Sequence, residues 1–185
     1  LGARQMNPDV TMSVVYTGAW YDPVKERSSA EALVEQGVDV IGQHVDSPTP
    51  NVVAKEKGIL GTGHHRDMSE FAGDSSICSS VWVWDKYLTP ALTTISGGSW
   101  KPSAWGDFLS IKAGGTDIVL GDNVPQAIKD KVMAERQAII DGKHVFAGPI
   151  KDQTGKIRVA SGEVADDGAL WGMDYLVEGI NGSLN

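Results

Sequence analysis

One cysteine, three phenylalanines and a shortage of positive charge mark this sequence, and each scarcity narrows what the chain does. The single thiol, Cys78, cannot form an internal disulfide, so it reads as a small buried hydrophobe rather than a reactive group. Sixteen basic side chains stand against 24 acidic ones, for a formal charge of −8. That balance argues against nucleic acid or an anionic membrane surface as the main partner. No apolar run approaches the roughly 20 residues that a spanning helix needs. Also missing are a Gly-x-Ser-x-Gly elbow, a Walker loop and a His-Glu-x-x-His helix, which leaves enzymatic readings with little support. The sequence contains no internal repeat and no low-complexity linker, and no signal-like pattern precedes Arg4. Leu1 is not a start methionine, and a helix-like run to Met6 leads straight into the turn signal Asn7-Pro8-Asp9. The expectation is a chain that begins inside a structural unit, as a fragment of a longer protein does.

What is present is an α/β pattern. The 185 residues are 41% hydrophobic and 22% charged, ordinary globular proportions for one domain or two small lobes. From Thr11 to Met68 the pattern is strand–helix–strand–helix–strand. Strand Thr11–Thr17 is rich in β-formers. Asp22-Pro23 opens a helix with an N-cap and a first-turn proline; Ala30, Leu33 and Val34 form its apolar stripe, and Gly37 ends it. Val38–Gln43 is a short apolar run suited to burial on both faces. A second helix begins at Ser47-Pro48 and closes at Gly58, before strand Ile59–Gly63. Two right-handed crossovers of this kind make half of a doubly wound sheet. Further on, the spacing predicts a strand at Ile77–Val83 and a helix at Asp85–Ile95 ended by Gly97-Gly98. Two short strands follow, near Phe108–Lys112 and Asp117–Leu120. Pro125–Asp141 reads as a helix with Ile128, Val132 and Ile139 inward. A hairpin or extended loop is expected over Ala147–Ala160, and a short helix within Ala165–Ile180 carrying Leu170, Met173 and Val177 on one side.

The three strand exits carry the chemistry. They read Thr17-Gly18-Ala19-Trp20, Gln43-His44-Val45-Asp46-Ser47-Pro48 and Gly63-His64-His65-Arg66-Asp67. In an open parallel sheet such exits line one crevice, where small ligands bind. Trp20 either covers a helix start or stacks on an aromatic ligand. Asp46 caps the following helix, accepts hydrogen bonds from a ligand, or does both, with Gln43 as the better edge reader. Gly61-Thr62-Gly63 lacks the third glycine of a dinucleotide fingerprint, Arg66 standing in its place, so no nucleotide cofactor is expected. His44, His64, His65, Asp46 and Asp67 invite a zinc reading, but the spacing matches no closed site and no metal is expected. That leaves His65 and Asp67 for ligand hydrogen bonding or turn chemistry. Trp82-Val83-Trp84 sets two indoles on one side of a strand, either packed in the core or lining the crevice.

Together, Trp20-Tyr-Asp-Pro-Val-Lys-Glu26, Gln43-His-Val-Asp-Ser-Pro48, Gly148-Pro-Ile-Lys-Asp152 and Met173-Asp-Tyr-Leu-Val-Glu-Gly179 resemble the basic membrane protein family. That family comprises substrate-binding components of ABC importers, including purine-nucleoside-binding lipoproteins. The resemblance implies a type I periplasmic-binding-protein fold, two α/β lobes closing over ligand, of which this chain is a part. Residues 1 to about 80 are then the main ligand-binding lobe, a Rossmann-like parallel sheet. Residues 81–185 are hinge-crossing segments and elements completing the lobes. It further implies no catalysis, no cofactor, an ABC permease as partner and a place outside the bacterial cell membrane. Any lipid anchor would lie outside this chain. Carried over position by position, Trp20 faces the ligand and Asp46 approaches the sugar side of a nucleoside. Nucleoside-binding relatives have Asp-Ser-Asp where this chain has His65-Arg66-Asp67, and a lysine where Trp82 or Trp84 stands. These departures shift the expectation toward a free purine base, adenine above all. The set expected at the ligand is Trp20, Gln43, Asp46, His65, Asp67, Trp82 and Trp84. A sugar or other small metabolite is the alternative ligand, and hydrolysis by strand-exit Asp and His the alternative activity.

Overall fold

A computed structural model describes residues 1–104 and 106–184. The chain forms two compact units, one of residues 19–141 and one of residues 1–18 with 142–185. Residue 80, where the sequence reading set its boundary, falls inside a strand of the larger unit.

The larger unit is built on a four-stranded sheet. In chain order its elements are α2 (Pro23–Glu35), β2 (Val40–Gly42), α3 (Thr49–Lys57), β3 (Leu60–Gly63) and α4 (Ser69–Ala72). Then come β4 (Ser76–Trp82), α5 (Asp85–Ser96), β5 (Thr116–Leu120) and α6 (Gln126–Ile140). The strand order is β2-β3-β4-β5, parallel except for the β4–β5 pair.

The helix signals act as the sequence implies. Asp22 accepts the Lys25 N–H at 3.1 Å and Pro23 opens α2. Glu26 reaches back to the Asp22 N–H at 2.8 Å, so cap and first turn hold each other. Its carboxylate is 1% exposed and also accepts the Ser47 hydroxyl, tying the start of α2 to the loop after β2. The Ser47 hydroxyl in turn accepts the Thr49 N–H at 3.1 Å, which is how Ser47-Pro48 launches α3. Gly58 ends α3 in the left-handed region at φ 70°. The core of this unit is Ala30, Ile41 and Val53, with Val34, Val38 and Ile59 packed around it.

Several expectations fail, each for a local reason. Strand one is only β1 (Met12–Ser13), and it pairs in parallel with β8 (Ile180–Asn181) rather than joining β2. Trp20 therefore lies seven residues past a strand, not three, and the sheet that carries the exits comprises β2 to β5. Strand β2 is not buried on both faces: Ile41 is covered, while Val40 and Gly42 are exposed on the opposite pleat. The segment at Phe108–Lys112 forms a loop and turn instead of a strand. Trp84 is not on a strand either; β4 stops at Trp82 and Trp84 is the residue preceding α5. In α6 the stripe is only partly covered: Val132 and Ile139 are half-buried and Ile128 is exposed. What fastens α6 is charge, a two-pronged pair from Arg136 Nε and Nη2 to Asp117 of β5 at 2.6 and 2.7 Å.

The smaller unit holds α1 (Gly2–Met6), the β1–β8 pair, and an antiparallel hairpin of β6 (Ile150–Lys151) and β7 (Ile157–Val159). Ile150, Val159 and Leu176 are buried in it. The Asp152 carboxylate organises the hairpin turn, accepting Thr154 N–H, Thr154 Oγ1–H, Lys156 N–H and Arg158 Nε–H at 2.6–3.2 Å. These donors, the Thr154 hydroxyl first and the Arg158 guanidinium next, hold it well below the usual carboxylate range. The tail helix shrinks to α7 (Asp167–Trp171), because Gly168 weakens it and Gly172 closes it; Met173 and Val177 lie beyond its end.

Candidate functional site

The sheet itself aligns the histidines. Gly42 of β2 pairs with Thr62 of β3, so two residues further on His44 stands beside His64. Gly63 pairs with Ser79 of β4, which sets Ser80 beside His64 in the same way. Close strand packing needs glycine here. A Cβ on Gly63 would fall on the Met68 side chain and Ser79 Oγ, and one on Gly61 on Asn51 Oδ1. The Gly-x-Gly turn is thus a packing device.

The result is a chain of six aromatic rings, each touching the next. Trp20 meets His44 edge-on at 5.7 Å between centroids, and His44 meets His64 at 4.2 Å. His64 lies 4.0 Å from His65 and 5.9 Å from Trp82; His65 stands 4.6 Å from Trp82, and Trp82 5.2 Å from Trp84. The indoles keep large open faces, with Trp20 67%, Trp84 56% and Trp82 41% exposed. Edge-to-face contact holds such rings in place while leaving faces free to receive a flat molecule.

Polar groups punctuate the stack. Asp46 Oδ1 lies 2.6 Å from His65 Nε2, and the Asp46 N–H donates to the Trp20 carbonyl at 2.7 Å. His65 adopts φ 70°, the only non-glycine residue in the left-handed region among the described residues, a strained geometry of the kind found at working sites. Its carbonyl accepts the Trp82 N–H at 3.2 Å, fixing the β3 exit to the end of β4. His64 Nδ1 is 3.0 Å from Ser80 Oγ, while its Nε2 is shielded from solvent and has no hydrogen-bond partner among the described residues. Burial first, and then the neighbouring His44 and His65, push the His64 imidazole down to about 4, with Asp46 opposing.

Two of the residues expected at the ligand have side chains engaged in local hydrogen bonds. Gln43 turns inward: its Nε2 donates to the carbonyls of Val45 (3.2 Å) and Ser47 (2.9 Å), and its Oε1 accepts from Asn51 at 2.6 Å. It shapes the loop bearing His44 and Asp46 instead of offering its edge outward. Asp67 accepts the Ser69 N–H at 2.9 Å, a turn that launches α4. Arg66 beside it engages Glu70 and lies over the Phe71 ring, away from the stack. Conversely, the sequence reading weighed His44 and His64 only as metal ligands and missed them as stack members. The equal offsets from Gly42 and Thr62 were the signal. Among the described residues no cluster of three or more His, Cys, Asp or Glu has the geometry to hold a metal ion. None of the described helices is long and apolar enough to cross a membrane.

Comparison with known proteins adds an independent line. The family model described as ABC transporter substrate-binding protein, PnrA-like (Bmp), matches residues 1–154. A purine-binding protein of Brucella abortus is 37% identical over the whole of this chain and 52% of its own length. A putative ABC transporter glucose-binding protein of Haloferax volcanii is 34% identical, again over the whole chain, and over 44% of its own length. The chain thus spans about half the length of these curated relatives. Among solved structures, a transcriptional activator of the comK gene from Bacillus halodurans superposes with TM-score 0.66 at 20% identity, covering 76% of this chain and 50% of that one. An ABC solute-binding protein from Conexibacter woesei superposes with TM-score 0.56 at 22% identity, covering 76% and 48%. These likenesses show the fold, that of the solute-binding proteins, in which mixed α/β elements surround a mainly parallel sheet.

Proposed function

Since the chain belongs to the Bmp family of PnrA-like ABC transporter substrate-binding proteins, we propose that it captures a free purine base, adenine foremost, on the stack running from Trp20 to Trp84. The observation that carries this reading is the run of six linked rings with three half-open indoles and one carboxylate. A purine has two apolar faces and an edge of donors and acceptors. Indole faces supply affinity, and a few fixed polar groups supply selection. Trp20, Trp82 and Trp84 take the faces. Asp46, held by His65, accepts from an exocyclic amine or ring N–H. The name of the Brucella relative supports a purine.

In this reading the protein works as its family does, handing the base to a permease on the outer side of the cell membrane. Closure about the ligand is a hinge motion in which no bond is made or broken. A sugar is the second reading, favoured by the name of the Haloferax relative and by the ability of indoles to carry sugars as well as bases. Calorimetric titration with adenine, guanine, adenosine, glucose and ribose separates the two. Adenine binding tighter than any sugar is the expected result. Heat from glucose or ribose alone discards the purine, and turnover of any purine discards a binding-only role in favour of hydrolysis by Asp46 and His65.

A further inference from the structure

The segment after β2 keeps a strand's alternation without a strand's bonds. Gln43, Val45 and Ser47 are buried or half-buried, while His44 and Asp46 between them are exposed. The bond from the Gln43 N–H to the Thr62 carbonyl, at 3.3 Å, is the last backbone link between β2 and β3 among the described residues. Beyond it side chains take over. The Gln43 amide spends both its donors on the Val45 and Ser47 carbonyls, and its oxygen accepts from Asn51 Nδ2 at 2.6 Å. Asn51, on α3 and wholly buried, gives its other donor to the Thr62 carbonyl at 3.1 Å. Three backbone carbonyls thus dictate which way both amides point. Gly61 leaves the room that the Asn51 side chain fills.

We propose that Asn51 and Gln43, neither of which joins the aromatic stack, are positioning residues of the site: their amide pair clamps the loop bearing His44 and Asp46 to the β3 exit and, through that loop, holds Trp20. The inference rests on the purine reading above and deepens it. The path of hydrogen bonds is continuous. It runs from Thr62 of β3 to Asn51, from Asn51 to Gln43, and from Gln43 to the carbonyls on either side of Asp46. The Asp46 N–H then donates to the Trp20 carbonyl at 2.7 Å. Ser47 is anchored from a second side by Glu26, which accepts its hydroxyl. The clamp also sets the spacing at which Asp46 meets His65 across the two exits, 2.6 Å. A loop ordered before the ligand arrives costs no ordering on binding, so the pair contributes to affinity without touching the ligand. Removing either amide strands the other's buried polar groups and frees the same loop. The two therefore act as one unit, and losing both costs little more than losing one.

The test is adenine affinity by calorimetry, at a temperature where circular dichroism shows every protein folded. The parent is compared with Gln43→Met, Asn51→Leu, the double variant and Val53→Ala. Methionine and leucine keep the bulk and cannot donate. Val53 is also buried on α3 but packs with Ala30 and Ile41, so its truncation lowers stability without touching the amides. Each amide variant is expected to lose about tenfold or more in affinity, and the double variant no more than about threefold beyond the worse single one. Val53→Ala is expected to stay within about threefold of the parent. Without ligand, the Trp20 indole N–H resonance is expected to shift in both amide variants and to stay in place in Val53→Ala. Gln43 is only half-buried, so its variant carries the comparison if Asn51→Leu does not fold. Amide variants that bind within about threefold of the parent overturn the inference. So does a double variant whose loss is the product of the single losses, a Val53→Ala that loses as much, or a Trp20 resonance that stays in place. In each of those cases the purine reading stands, because the parent binds adenine. No heat from adenine in the parent overturns that reading instead, and the Trp20 resonance, read without ligand, then decides the clamp by itself.

Discussion

Two carboxylates at chain reversals, Asp46 in the larger unit and Asp152 in the smaller, show opposite uses of the same side chain. Asp152 is 4% exposed and accepts four donors from its own hairpin, so its capacity is spent inside the protein. Asp46 is exposed, and its side chain is met by the imidazole of His65. Asp152 makes the turn; Asp46 is made available by one. A buried polar group whose bonding is complete reads as architecture. A half-used one, set among open aromatic faces, reads as a place where something binds.

The sharpest way to break that contrast is to remove each carboxylate. Asp152→Asn is expected to lower the unfolding temperature, followed by circular dichroism, more than any substitution in the aromatic stack. Its sign with pH follows from the depressed carboxyl. The stabilisation is fully present above the unfolded value near 3.8 and is lost as pH falls below it. The gap between parent and variant should therefore close in acid. A gap that widens there would contradict the assignment. Trp82→Ala comes next, with ligand affinity expected to fall by roughly 1–3 kcal/mol, about fivefold to 150-fold, and stability to change little. A large fall in the unfolding temperature with affinity intact would return Trp82 to the role of core filler. His64 gives a smaller, pH-dependent effect. Its folded-state value lies below the ordinary 6.5, so the unfolded chain binds the extra proton first, and stability declines as pH drops from about 6.5 toward about 4. His64→Asn should flatten that decline, and an unaltered slope would assign it elsewhere. Smallest of all is Asp67→Asn, expected to leave affinity within about twofold, because its carboxylate serves the α4 turn. A loss matching that of Trp82→Ala would bring Asp67 back into the site.

Sequence pattern captured what is local. Asp22-Pro23, Gly37 and Gly58 set the helix ends, the runs at Val38–Gln43 and Ile59–Gly63 each contain an observed strand, and Ile77–Val83 overlaps β4 with a shift of one residue. What it could not supply is partnership. Thr11–Thr17 has strand composition, but only pairing with β8, at the far end of the chain, shows where its two bonded residues belong. The same holds at the site. Trp20 and Asp46 were expected to be neighbours and share a 2.7 Å backbone hydrogen bond. Gln43 carried the same polar signal, and only the position of Asn51 on α3 reveals that it faces inward. The imidazoles of His44 and His64 were visible as letters, yet their contact depends on strand register, which a single-residue slip would abolish.

If the linked rings receive the ligand, the indole N–H resonances report on it directly. Titrating the ¹⁵N-labelled protein with adenine, with signals assigned through single Trp→Phe variants, should shift the resonances of Trp20, Trp82 and Trp84 while those of Trp100 and Trp171 stay in place. Adenine binding that moves Trp100 or Trp171 and leaves the three stack indoles unchanged would contradict a site on the stack.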